Sequence, residues 1–192
     1  MQSENFHANK TFSGSDYANK SLKGIEFESC RFNQIDFSHC KLENCNFSDS
    51  VFEDCNFSLA QFKNVGLSEI KFRNCKLLGV DFAKTRDFAF AVSFEKCILD
   101  YASFSHKKLR KTRFLQCRLQ ETNFEESDLT GSIFADCDLT RASFSNTILV
   151  EADLSSAYNF SINPENNLMK NARFSLAGLP GLLEKFGLKI TD

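Results

Sequence analysis

The chain contains no tryptophan, and only 2 prolines and 8 glycines among its 192 residues. It also lacks any run of 18 consecutive apolar residues, so we expect no membrane-spanning helix. The first 24 residues carry frequent polar side chains and no apolar stretch of signal-peptide length, which predicts a cytoplasmic protein. With 23 Lys and Arg against 25 Asp and Glu, the chain as a whole is neither a polyanion nor a polyanion binder.

Motifs for catalysis or cofactor binding are also missing. The chain contains no HExxH, no GxSxG, no phosphate-binding loop and no dinucleotide fingerprint. Its three histidines, His7, His39 and His106, are scattered along the sequence. We therefore expect a protein that is not an enzyme, with no catalytic residue, no metal and no cofactor.

A five-residue period organises almost the whole sequence. Large apolar residues recur at every fifth position from Phe12 to Phe82 and, after a break, from Phe94 to Leu154. These two runs give 28 centres, and 16 of the 22 phenylalanines occupy them. Small or β-branched residues occupy the position two before most of the centres, and all eight cysteines lie there. Because free cysteine behaves as a small apolar residue, we interpret the cysteines as core residues.

This period fits neither an α-helix, which repeats every 3.6 residues, nor a continuous strand, which repeats every two. It does fit a chain that turns after each short extended segment, with two side chains inward and the corner residues outward. Four such sides close a square coil of 20 residues, and Cys97, Cys117 and Cys137 have that spacing. Coils of this kind stack at about 4.8 Å, and 28 centres predict about seven of them.

Two segments, Cys137-Asp-Leu-Thr-Arg141 and Glu151-Ala-Asp-Leu-Ser155, resemble the A(D/N)Lxx consensus of the pentapeptide-repeat proteins. The resemblance implies an all-β fold, the right-handed quadrilateral β-helix. The predicted organisation is an N-terminal cap (1–11), a first part of the β-helix (12–82), a break (83–93), a second part (94–157) and a C-terminal module (158–192).

The break carries two residues more than the period requires, and it predicts either a bulge at one corner or a boundary at which the rod bends. Lys107 stands in an inward position, and Lys20 is a similar irregularity. Lysine is rarely buried without a partner, so we expect the coil to open locally at Lys107.

The C-terminal module predicts a short helix between Ser175, its N-cap, and Gly187, which follows its last turn; because proline fits best in a first turn, Pro180 predicts that the helix could run only over 179–186. A final short strand is predicted at Leu188 and Ile190. The helix could close the open end of the β-helix or join two copies of the chain, and these roles are compatible. The module resembles that of the Qnr and MfpA branch of the family, in which it joins two rods, which implies a homodimer. The candidate interface is Leu179, Leu182, Leu183, Phe186 and Leu188.

Members of that branch bind DNA gyrase or topoisomerase IV in place of DNA, and some protect these enzymes from quinolones or other poisons. The resemblance therefore implies a topoisomerase partner, without direct nucleic-acid or membrane binding. The candidate acidic binding surface is Glu26, Glu28, Asp49, Glu69, Glu121, Glu125, Glu126, Asp128, Asp136 and Asp138. A basic cluster at 107–113 interrupts it, so an ordinary mixed-charge surface on a scaffold for another partner is the alternative.

Overall fold

The computed structural model describes residues 5–14 and 16–189, which form a parallel β-solenoid of about eight turns with a short C-terminal helix. Each turn has four faces, numbered here in chain order. Face 1 begins with the sheet β1 (Phe6–Ala8), β4 (Glu26–Glu28), β7 (Asn46–Ser48) and β10 (Gly66–Ser68). Face 4 begins with β3 (Ser21–Lys23), β6 (Lys41–Glu43) and β9 (Gln61–Lys63). Face 3 consists of isolated bridges, from Asp16 with Asp36 to Asp138 with Tyr158.

Face 2 runs the length of the rod as a nine-stranded parallel sheet. Its strands are β2 (Thr11–Ser13), β5 (Arg31–Asn33), β8 (Val51–Glu53), β11 (Ile70–Arg73), β12 (Val92–Glu95), β13 (Arg113–Leu115), β14 (Ile133–Ala135), β15 (Asp153–Leu154) and β16 (Arg173–Phe174). The predicted β-helix is therefore confirmed. The five-residue period ends at Leu154 and predicts about seven coils. In the structure β16 continues the stack to Phe174, because the last coil keeps the fold although its residues follow the repeat less regularly.

Stacked phenylalanines fill the centre of the rod. Phe32 and Phe52, on adjacent coils of face 2, lie with ring centroids 4.5 Å apart and planes 13° from parallel. Rings on opposite faces meet edge to face, as Phe104 on face 4 and Phe114 on face 2 do at 5.9 Å and 81°. Offset stacks and edge contacts are the two arrangements that aromatic rings prefer, so one square coil accommodates both.

The eight cysteines are free thiols, and all of them are buried, which confirms their interpretation as core residues. Several donate to a backbone carbonyl of the preceding coil, as Cys137 Sγ does to Phe114 O at 3.3 Å. Burial raises the pKa of Cys40 to about 11, and it also raises the pKa of Cys45. Cys40 and Cys45 therefore stay protonated at neutral pH and serve as packing groups.

The two extra residues of the break form a bulge on face 1. The Arg86 N–H donates to Val65 O and the Ala91 N–H donates to Leu67 O, and the residues between them leave the regular path. The sheet of face 2 continues across this point, with Ile70 in register with Val92. A 3₁₀-helix, Phe82–Lys84, leads into the bulge.

The expectation that the coil opens at Lys107 is wrong. The side chain is 2% exposed, and its ammonium group donates to Thr85 O at 3.0 Å, to Arg86 O at 3.3 Å and to Asp87 Oδ1 at 2.6 Å. Nζ also lies 4.4 Å from the centroid of the Phe90 ring. The bulge thus supplies the partners that allow a charged group to be buried. Lys20, in contrast, is exposed.

The C-terminal module contains short helical segments where one helix was predicted. A 3₁₀-helix at Pro164–Asn166 precedes β16, and Leu176–Gly178 (3₁₀), α1 (Pro180–Leu183) and Glu184–Phe186 (3₁₀) follow it. The predicted end signals are confirmed, because Ser175 Oγ accepts from the Gly178 N–H at 3.1 Å and Gly187 has a φ of 61°. Leu188 lies in no strand, and Ile190 lies outside the described residues. None of the helices within 5–14 and 16–189 has the length and apolarity of a membrane span.

Candidate partner-binding surface

Four of the candidate acidic residues lie together on face 1. Glu26 and Glu28 belong to β4, and Asp49 and Glu69 stand at the corner that follows β7 and β10. All four are exposed, and none forms an ion pair with another described residue. The first coils of face 1 therefore present uncompensated negative charge.

The acidic residues of 121–138 do not join that surface, because a segment of about one coil passes around all four faces. Glu121 stands at the corner after face 3 and pairs with Arg141, and Glu126 pairs with His106, with 3.1 Å between Oε2 and Nδ1. Glu125, on face 4, accepts from Ser143 Oγ at 2.9 Å. Asp136 is exposed at the corner after face 2. Their nearness in sequence is not nearness on one surface.

Asp128 and Asp138 are occupied in holding the coils together. Asp128 is 8% exposed and accepts from Arg110 Nε at 2.5 Å and from Thr130 Oγ1 at 2.6 Å. Burial alone would raise the pKa of the Asp128 carboxyl, but hydrogen bonds from Thr130 and Arg110 outweigh burial and hold this pKa below its usual value. The pKa of Asp138 is lowered in the same way, since hydrogen bonds led by that from Thr140 outweigh burial.

Basic residues occupy the middle of face 1. Lys108 is in register with Asp128 and is exposed, and Lys111 stands at the same corner as Asp49 and Glu69. Arg113 follows on face 2. The uncompensated negative charge of the first coils therefore ends at the bulge, and exposed lysines follow it on face 1.

The bulge itself contains residues that the sequence did not single out for binding. The Phe88 side chain is 90% exposed, the largest exposure among the described large apolar side chains. Arg86 turns inward and donates from Nη2 to Cys45 O at 2.9 Å. The sequence did contain a signal for this bulge, namely the two extra residues of the break together with a lysine in an inward position.

The candidate dimer residues lie on the C-terminal module with different degrees of burial. Leu182 is partly buried against the core, and Leu183 is half-buried. Leu179, Phe186 and Leu188 are 42%, 51% and 59% exposed. Leu176, which the sequence did not single out, is 86% exposed and adds to the same module. The module therefore exposes four large apolar side chains within one short segment of the chain.

No group of three or more His, Cys, Asp or Glu side chains within the described ranges is placed to hold a metal ion. A four-sided coil filled by stacked side chains, with corners every five residues, defines a class of repeat protein. The family model "Pentapeptide repeat region" matches residues 7–86 and 89–158, well over half of the chain. The chain belongs to the pentapeptide-repeat family. The residues left between the two matches, Asp87 and Phe88, lie in the bulge.

Among solved structures, the chain is similar to two trypsin-treated variants of QnrB1, a plasmid-mediated fluoroquinolone resistance protein. One has 18% identity and a TM-score of 0.60, with 97% of this chain and 100% of that chain covered. The other has 17% identity and a TM-score of 0.58, with 97% and 99% covered. At this identity the likeness shows the fold. No curated protein sequence matches the chain significantly.

Proposed function

We propose that the protein is a non-enzymatic DNA mimic of the cytoplasm that binds a type II topoisomerase, DNA gyrase or topoisomerase IV, and protects it from quinolones or other poisons. The observation that carries the proposal is the group of four exposed carboxylates on face 1, at Glu26, Glu28, Asp49 and Glu69. They span three successive coils, a rise of about 10 Å at the usual strand spacing. Glu26 and Glu28 share one rung, so the charged rungs follow one another at about 4.8 Å, against about 3.4 Å between phosphates along one DNA strand.

The rod shape and the similarity to QnrB1 support the proposal. A filled β-helix presents charge on a straight, rigid face, which a protein surface shaped for duplex DNA can contact without reordering either partner. QnrB1 is a fluoroquinolone resistance protein with the same fold along nearly the whole chain. Since one fold serves many functions, the charge pattern of face 1 carries the argument more than the fold does.

The test is a supercoiling assay with purified gyrase and increasing amounts of this protein, with and without ciprofloxacin. We expect inhibition of supercoiling without the drug, or restored supercoiling in its presence. A variant with Glu26→Gln, Glu28→Gln, Asp49→Asn and Glu69→Gln should lose the effect. A matched control with Asp16→Asn, Asp54→Asn, Glu125→Gln and Asp136→Asn removes the same charge from positions outside face 1 and should keep it.

Two results would contradict the proposal. One is an absence of any effect at protein concentrations well above that of the enzyme. The other is an equal loss in both variants, because face 1 would then have no special part and only net charge would matter. The basic middle of face 1 favours the second candidate function, a scaffold for a different protein partner. Affinity capture from the native host would then identify that partner.

We also propose that two copies associate through the C-terminal module. The exposed side chains of Leu176, Leu179, Phe186 and Leu188 form the apolar surface that a second copy would cover. A two-fold axis through one patch buries the same residues on both chains, so a single self-complementary surface suffices. Joining the rods through their C-terminal modules would place one acidic group near each end of a rod of twice the length.

A further inference from the structure

A groove of about 350 Å³ opens beside the bulge, on the corner between faces 1 and 2. It forms because the coil that contains the bulge places small residues between larger neighbours: Ser93 lies in register between Lys71 and Arg113. Its lining includes Glu69, Lys71, Phe90, Arg110, Lys111 and Arg113.

Uncompensated positive charge surrounds this groove. Lys71, Lys111 and Arg113 are exposed, and none has an acidic partner within 4.0 Å in the described part of the chain. Arg110 also lines the groove, but Asp128 neutralises it at 2.5 Å. Lys71 and Arg113 are two rungs apart on face 2, a separation of about 10 Å. Three exposed cations without ion-pair partners, against the one carboxylate of Glu69, favour an anionic ligand.

The bulge adds a rigid apolar element to the basic groove. Phe90 lines the groove, and Phe88, two residues earlier, projects into solvent. The three hydrogen bonds of the buried Lys107 ammonium fix the backbone at Thr85 and Arg86 and the side chain of Asp87. An exposed aromatic side chain on a braced loop is suited to binding, because little conformational freedom remains to be lost.

We propose that this groove binds a short acidic segment of a partner protein, with its carboxylates at Lys71, Lys111 and Arg113 and an apolar side chain against Phe88 and Phe90. Such a segment matches both parts of the site, the separated cations and the aromatic bulge. Aromatic and arginine side chains are also the groups that dominate protein–protein contacts.

The charges of the lining favour a protein segment over a nucleic acid. Glu69 contributes a carboxylate to the same groove, and Glu95, which lies 3.6 Å from Arg73, follows on face 2. The three cations without ion-pair partners, beside these two acids, can bind a few carboxylates that are spaced apart along a peptide. A nucleic-acid backbone carries dense charge, and its binding depends on many neutralised phosphates. The inference does not rest on the proposed topoisomerase function, since the groove has the opposite charge to the acidic end of face 1.

The test is fluorescence anisotropy of the full chain with a short labelled peptide in which Glu and Asp alternate with Leu and Phe. Lys111→Glu should weaken binding by about fivefold or more, as loss of one exposed ion pair predicts. Lys96→Glu is its matched control, because Lys96 is exposed and has the same left-handed corner conformation on the far edge of face 2. It should leave the affinity unchanged.

The aromatic part is tested by Phe88→Ala, with Tyr101→Ala as the control at an exposed aromatic residue on another corner. Only Phe88→Ala should weaken binding. A second peptide with Gln and Asn in place of the acids should bind at least about tenfold more weakly, since it lacks several charge pairs. Circular dichroism and the melting temperature should be the same in all four variants, because the replaced side chains are exposed.

Three outcomes would overturn the proposal. The acidic peptide could fail to bind, or the control variants could weaken it as much as Lys111→Glu and Phe88→Ala do. Oligothymidine could also bind more tightly than the peptide, with Lys111→Glu abolishing that binding, which would assign the groove to single-stranded nucleic acid. If inorganic phosphate displaces neither the acidic peptide nor oligothymidine, the groove recognises more than a single small anion. That result would support the proposal.

Discussion

Replacing Lys107 by methionine tests how the bulge is held in place. Methionine keeps the apolar stem and nearly the volume of lysine but removes the ammonium group. Thr85 O and Arg86 O then lose a donor at 3.0 and 3.3 Å. Each buried carbonyl that is left without a donor costs about 1–3 kcal/mol. The Asp87 side chain is 76% exposed, so water can replace its lost partner at little cost.

We therefore expect Lys107→Met to lower the free energy of unfolding by about 3 kcal/mol, mainly through the two carbonyls. Asp87→Asn should cost about 1–3 kcal/mol, because it removes the counter-charge of the buried Lys107 ammonium but leaves an amide oxygen that can still accept its hydrogen bond. Lys108→Met is the matched control: the adjacent lysine is exposed, and its loss should stay within about 0.5 kcal/mol.

Urea denaturation followed by circular dichroism measures these differences, since the chain has no tryptophan for fluorescence. Repeat proteins can lose structure locally, so limited chymotrypsin digestion at Phe88 provides a second readout. Lys107→Met should be cut faster there than Lys108→Met. If the two variants match in both stability and cleavage, the buried ammonium does not anchor the bulge and the reasoning fails.

Three further predictions concern the core, one corner and the response to acid. In urea denaturation Phe124→Ala should lower the free energy of unfolding by about 3–5 kcal/mol, and Glu125→Ala should change it by no more than about 0.5 kcal/mol. Equal losses would contradict the assignment of Phe124 to the inside of the coil and Glu125 to the outside. A Cβ on Gly66 would lie 2.1 Å from Asn46 Oδ1, so Gly66→Ala should lose about 1–3 kcal/mol in the same assay; unchanged stability would mean that Asn46 turns aside freely. The lowered pKa of Asp128 means that its ionised carboxylate stabilises the fold; this stabilisation is present above pH about 4 and is lost as the pH falls through the folded-state pKa. Asp128→Asn should therefore be less stable than the parent at neutral pH, and the two should become equally stable in acid. A constant difference across that range would contradict this assignment.

The repeat made most of the fold predictable, because a period of five fixes both the direction of each side chain and the side of the coil on which it lies. Phe94, Phe114 and Phe134 were expected in one column, and they are in register on β12, β13 and β14. The turn count fell short because the last coil, which ends at Phe174, uses residues that break the Phe and Leu pattern.

Lys107 was misjudged for a physical reason. A lysine in an inward position can be buried only if other groups satisfy it, and here two of its three hydrogen-bond acceptors are backbone carbonyls of the bulge. Backbone carbonyls leave no mark in a sequence, so the extra residues and the buried lysine could not be recognised as one feature. The exposed Phe88 was not predicted either, because an aromatic residue outside the five-residue period looked like a disturbance of the repeat.

The acidic residues show how a repeat can mislead about a surface. Glu121, Glu125 and Asp136 are close in sequence, but the coil turns a corner every five residues and distributes them over different faces. Glu28, Asp49 and Glu69 are about 20 residues apart and share one face. The coil length was known from the sequence, so spacing by 20 residues predicts a common surface better than local density does.

The proposed dimer gives a prediction that separates the two roles of the C-terminal module. If the module only closes the end of the rod, its buried Leu182 suffices and the exposed Leu179 and Phe186 are dispensable. If it joins two copies, light scattering after gel filtration should give twice the monomer mass of 21.8 kDa. Leu179→Asp with Phe186→Asp should then halve the observed mass without changing the circular dichroism spectrum, because a charge buried in a dry interface is costly.

Leu59→Asp is the control for that experiment, since Leu59 is 47% exposed on the side of the rod, far from the module. It should leave the mass unchanged. A parent protein that elutes as a monomer at the concentration of the supercoiling assay would limit the module to closing the rod, and any activity would then belong to a single rod. A dimeric parent whose Asp variant is monomeric and inactive would instead show that activity needs the doubled length, because the first coils of face 1 are unchanged in that variant.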